Sequence, residues 1–102
     1  MAEPAVVSIM EFPGDPAELE ERMRVIDEVG QRKAPEYGGI STTVVRTDTG
    51  VMVINMWADE EGRHRMAEDP EIQQAIQESG LPRPAFKGYE VIRHRSAEHA
   101  TA

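Results

Sequence analysis

The sequence predicts an α+β domain of the ferredoxin-like class, βαββαβ, with one antiparallel four-stranded sheet and both helical segments on one face. Three observations predict it. Four short runs are rich in β-branched and apolar residues, at Ala5–Phe12, Ile40–Thr47, Gly50–Trp57 and Phe86–Arg95. Between the first and second, and between the third and fourth, apolar residues recur at helical spacing behind an Asp cap. Asp48-Thr49-Gly50 is a tight turn that pairs the two middle strands as a hairpin.

Each element has its local cause. In Ala5–Phe12, Val7 and Ile9 fall on one face and Val6, Ser8 and Met10 on the other, and Pro13-Gly14 ends the run. Asp15 then caps a helix with Pro16 in its first position and Glu18 placed to close a capping box. Leu19, Met23, Ile26 and Val29, with Val25 beside them, form its apolar stripe, and Pro35 stops it. Tyr37-Gly38-Gly39 reads as a turn into the second strand. Asp59 caps a short helix expected to carry Met66 and Ala67 inward. Asp69-Pro70 opens another helix with Ile72, Ala75 and Ile76 as its stripe, and Gly80 stops it. Residues 1–95 are read as one domain, and 96–102 as a frayed tail.

Composition narrows the function. Among 102 residues, 11 Lys and Arg stand against 19 Asp and Glu, a formal charge of -8. That balance argues against nucleic acid and anionic membranes, both of which recruit basic surfaces. Arg63-His64-Arg65 and Arg93-His94-Arg95 are too short to reverse it. The chain has no cysteine, which removes thiol catalysis, thiolate metal sites and disulfides. No metal site is expected: His64 and Glu68 lie one helical turn apart, and two ligands make an ordinary surface pair. Neither a leader peptide nor a membrane span is visible, and the expectation is a cytoplasmic protein.

The third strand says most. It is apolar on both faces, with Val51, Val53 and Trp57 on one and Met52, Ile54 and Met56 on the other. Helices cover one face of such a sheet, so the other calls for a cover of its own. A second copy, sheet against sheet about a two-fold axis, supplies it, and a homodimer is expected.

Asn55 and Trp57 share a face near the end of this strand. A lone amide there either bonds a neighbouring strand or holds a ligand oxygen, and the sole Trp either packs the core or walls a pocket. His64 is a candidate base near neutral pH, or else a solvated surface residue. Ser8 and Thr42 are candidate ligand contacts. Tyr89 and Arg93, a phenol and a guanidinium expected on one strand face, can orient an acidic ligand or sit at a rim.

Trp57-Ala58-Asp59-Glu60-Glu61, followed by Met66-Ala67-Glu68-Asp69-Pro70-Glu71-Ile72, resembles the antibiotic biosynthesis monooxygenase-like group of the dimeric α+β barrel superfamily. The resemblance spans residues 5 to 95. It implies a homodimer with an apolar pocket in each subunit for a small apolar or aromatic metabolite. Some relatives oxidise phenols or quinols with dioxygen and no cofactor, so none is expected here. On that scheme Asn55, Trp57 and His64 form the catalytic set, and a non-catalytic ligand-binding or assembly domain is the alternative. The chain departs from the group at three places, one of them the two-residue spacing of Asn55 and Trp57, narrower than the Asn-to-Trp spacing expected in quinone-forming relatives. Met66 and Ala67 stand where a His is common, and the first strand offers Ser8 in place of the Asn that haem-degrading relatives use.

Overall fold

A computed structural model describes residues 3–97. Strand β1 (Val6–Pro13) leads to helix α1 (Pro16–Lys33), and a 3-10 turn (Ala34–Tyr37) enters the hairpin of β2 (Gly39–Arg46) and β3 (Gly50–Trp57). Helices α2 (Glu60–Ala67) and α3 (Pro70–Ser79) return the chain to β4 (Ala85–Glu90). The strands are antiparallel in the order β2-β3-β1-β4. This is the ferredoxin-like α+β fold expected from the element order.

The caps act as read. Asp15 accepts from the Glu18 amide at 3.0 Å, Asp59 from Gly62 at 2.5 Å, and Asp69 from Glu71 and Ile72 at 2.8 and 3.2 Å. Gly80 takes the left-handed conformation that closes α3. Val6, Ser8, Met10 and Phe12 of β1 pair with Trp57, Asn55, Val53 and Val51 of β3, which puts all eight on one sheet face. Phe12, Val51 and Val53 pack there against Leu19 and Met23 of α1, with Met10 and Leu81 at the margin. Burying five such side chains contributes about 1.5–3 kcal/mol each.

Three expectations are corrected. β4 ends at Glu90, not Arg95, because its partner β1 runs out: the last tie is the Val91 amide donating to the Ala5 carbonyl at 2.8 Å. Arg93 therefore lies beyond the strand, exposed, and shares no strand face with Tyr89. Met66 is half-buried but Ala67 is exposed, since α2 is only eight residues long and buries Gly62 alone. Ile76 is 47% exposed, and Ile72 and Ala75 carry the α3 contact. Of the expected tail, residues 98–102 lie outside the described residues.

Among the described residues no helix covers the opposite sheet face. Val7 and Ile9 of β1 and Met52, Ile54 and Met56 of β3 form its half-buried centre, with exposed Val45 and Tyr89 to either side. Among the described residues no helix is long and apolar enough to cross a membrane.

Candidate functional site

Register decides which of the candidate residues meet. Ser8 lies opposite Asn55, and Asn55 opposite Thr42, so three polar side chains run in a row across β1, β3 and β2 on the helix-facing side. Trp57 is two residues along the same face. Its indole N–H donates to Ser8 Oγ at 3.0 Å, and both residues are buried, at 7% and 2% exposure. The Thr42 hydroxyl donates to Asn55 Oδ1 at 2.7 Å. Ser8, Thr42, Asn55 and Trp57 thus each make a side-chain bond to the adjacent strand.

Beside this row lies a shallow groove of about 560 Å³. Val6 and Gly88 line it, and they are the cross-strand neighbours of Trp57 and Ser8 respectively. The groove thus lies one strand from the Ser8–Trp57 pair, and Ser8, Thr42, Asn55 and Trp57 do not themselves line it. Phe86, half-exposed, adds an aromatic wall, and Asp59 and Glu60 at the start of α2 stand across from it. Tyr89 and Glu90 border its β4 side. Arg63 leaves α2 to lie over the Phe86 ring, 5.0 Å from its centre, and bonds Glu60 at 2.5 Å. A second groove of about 290 Å³, between the start of α1 and Gly80, touches none of the candidate residues.

Other candidates stand apart. The His64 side chain is 65% exposed on α2, 3.7 Å from Glu68, and does not line the groove. Among the described residues no group of three or more potential ligands is arranged to hold a metal.

One cluster escaped the sequence reading. Asp69 is buried, and besides capping α3 it accepts from Lys33 Nζ at 2.8 and 3.0 Å and from the Tyr37 hydroxyl at 2.6 Å. Lys33 above all, then Tyr37, holds the Asp69 carboxyl well below the usual carboxylate range. The same bonds raise Lys33 and Tyr37. Glu71 is lowered by Arg32, with which it pairs, and by Lys33. Arg65 lies over the Tyr37 ring at 5.6 Å. This cluster fastens the turn before β2 to α3. The next residue, Gly38, accepts from the Ala58 amide at 2.8 Å and so fixes the end of β3 beside Trp57. Only the Asp-Pro cap was visible in sequence, because Lys33, Tyr37 and Asp69 are brought together by tertiary packing.

No protein-family model and no curated protein matches the chain. Solved structures do. A monooxygenase of Streptomyces coelicolor from the gene ActVA-Orf6, in complex with the ligand nanaomycin D, superposes with a TM-score of 0.70 at 21% identity, over 91% of this chain and 92% of that one. A candidate antibiotic biosynthesis monooxygenase from Chloroflexus aurantiacus gives 0.69 at 14% identity, over 89% and 96%. A dimeric ferredoxin-like protein from an uncultured marine organism gives 0.65 at 14%, over 92% and 93%. The chain thus has the ferredoxin-like fold that antibiotic biosynthesis monooxygenase-like proteins also adopt.

Proposed function

We propose that this protein is a homodimer that binds a small, largely apolar aromatic molecule in the groove beside Trp57. The groove carries the reading: it is open along one side, has room for a small organic ligand, has Phe86 as one wall, and its lining residues Val6 and Gly88 are the cross-strand neighbours of Trp57 and Ser8. The helix-free sheet face, with Val7, Ile9, Met52, Ile54 and Met56 together, supports a second copy as its cover. The dimeric ferredoxin-like neighbour is consistent with that arrangement. The test is an NMR titration of the Trp57 indole N–H with a panel of phenols and hydroquinones. The expected result is a saturable shift of that resonance and of Gly88. A panel that leaves both unmoved refutes the reading.

A second reading makes the protein a cofactor-independent monooxygenase. The Asn55 amide is the group this reading uses, because an amide N–H can stabilise negative charge on a ligand oxygen; Asn55 bonds Thr42 and does not itself line the groove. A base removes the phenol proton, and the amide holds the phenolate. The electron-rich ring then reacts with dioxygen, one atom entering as the quinone oxygen and the other leaving as water. His64, exposed on α2 one turn from the groove residue Glu60, is the base this reading names, and Tyr89 is the groove residue it uses as an outer ligand contact. Oxygen uptake with hydroquinones, lost in Asn55→Ala and His64→Ala, is the expected result. Ligand binding without uptake leaves the protein a binding module.

A further inference from the structure

We infer that Gly88 sets the ligand specificity of the groove: the side chain it lacks is the space that a flat ring takes, against Phe86. The inference rests on the reading of the groove as a ligand site and names the residue that shapes it.

A glycine inside a strand weakens it and calls for a reason: a bulge, a backbone conformation other residues avoid, or the close approach of a ligand or another backbone. The first two are absent at Gly88. Its pairing with Ser8 sits in an unbroken ladder that runs from Val6 and Glu90 to Glu11 and Ala85. Its φ is not positive, so an L side chain is allowed. No neighbour of this chain crowds it either. Among the described residues a Cβ there would touch only the Phe86 ring, at 3.7 Å, an ordinary van der Waals contact. A Cβ at Gly62, by contrast, would overlap the Tyr37 carbonyl. Gly30 has similar room, but it lies within α1 and does not line the groove.

The groove supplies the remaining reason. Gly88 stands opposite Ser8, so its missing side chain belongs to the helix-facing side of the sheet, away from the face assigned to a second copy. Bare backbone is left there between two apolar groove residues: Val6, its diagonal neighbour on β1, and Phe86, two residues back on the same face. Phe86 is half-exposed, so its ring is open to a partner. A flat ring can rest on the Gly88 backbone and meet Phe86 in an offset or edge-to-face contact. A branched side chain at this position would take the same place.

The test is calorimetric titration of the full chain, and of Gly88→Ala and Gly88→Val, with 2-naphthol and phenol, alongside thermal unfolding of all three proteins. Both variants are expected to be at least as stable as the parent, because Ala and above all Val suit a strand better than Gly and meet no clash. Gly88→Val is expected to weaken 2-naphthol at least about tenfold, the scale of one methylene misplaced in an apolar pocket, with Gly88→Ala in between. Phenol should lose less, so the preference for the larger ring narrows. A Gly88→Val protein that binds 2-naphthol as tightly as the parent overturns the inference and leaves the ligand site standing. Variants that both unfold at lower temperature overturn it too, because the glycine then serves the fold. A parent chain that binds neither probe, by heat or by indole shift, overturns the inference and the ligand site together.

Discussion

Removing the Ser8 hydroxyl by Ser8→Ala isolates the one buried side-chain hydrogen bond at the centre of the site. Ser8 is 2% exposed and Trp57 7%, so the change leaves the indole N–H in a buried site without its acceptor. A buried donor left without a partner costs about 1–3 kcal/mol. Ser8→Ala deletes a single oxygen atom, so the hydrogen bond dominates over any cavity. For a domain near this size each kcal/mol lowers Tm by about 4–8 °C. The expected loss is therefore about 4–24 °C, read by thermal unfolding at pH 7. Trp57→Phe removes the donor instead, together with packing area, and costs more. The double variant Ser8→Ala, Trp57→Phe separates the two effects, because packing loss is common to both arms of the cycle. A coupling of about 1 kcal/mol between the two positions is expected. A Ser8→Ala protein as stable as the parent, or a coupling near zero, refutes the claim that this bond organises the strand end.

The pH dependence of stability follows from Asp69, whose carboxyl titrates lower in the folded chain than in the unfolded one. Its contribution is complete above the ordinary carboxylate value, near pH 4, and is lost as pH falls toward the folded value. Asp69→Asn keeps a capping side chain but discards the ion pair with Lys33, so it should lower Tm at pH 7 and converge on the parent below pH 4; a constant gap across that range contradicts the assignment. Tyr37 titrates higher when folded, so the support tied to its proton is present below about pH 10 and lost above it, which Tyr37→Phe should abolish in an alkaline unfolding series. Gly62→Ala should displace α2, because a Cβ there overlaps the Tyr37 carbonyl oxygen, and the loss of the Arg63–Phe86 contact should appear as a shifted Phe86 ring resonance; an unperturbed spectrum would show that α2 sits more loosely than described.

Much of this architecture was legible because it is written in local chemistry. Asp15, Asp59 and Asp69 announced helix starts, and the acceptor bonds they make are those their positions imply. The two-sided apolarity of Val51–Trp57 announced a buried strand with a second face to cover. The parity of Asn55 and Trp57 on one face also survived, since strand alternation needs no partner to be read. What a sequence hides is register. That Ser8 would stand opposite Asn55, and Asn55 opposite Thr42, depends on the pairing of three strands. Gly88 carried no signal at all, yet its place beside Ser8 makes it a groove residue. The overlong reading of the last strand has the same origin. Phe86–Arg95 has β-like residues throughout, and only the exhaustion of β1 at Ala5 ends the ladder. Tyr37 read as a turn or rim residue because its partner Asp69 is 32 positions away.

The central claim is that two copies cover the helix-free sheet face and thereby complete the protein. Sedimentation equilibrium of the full chain, with Ile54→Asp as the disrupted comparison, tests it most directly. The account predicts a particle of twice 11.4 kDa down to micromolar concentration, and one of 11.4 kDa once a carboxylate is placed at the centre of that face. A parent chain that sediments at 11.4 kDa across the whole concentration range contradicts it.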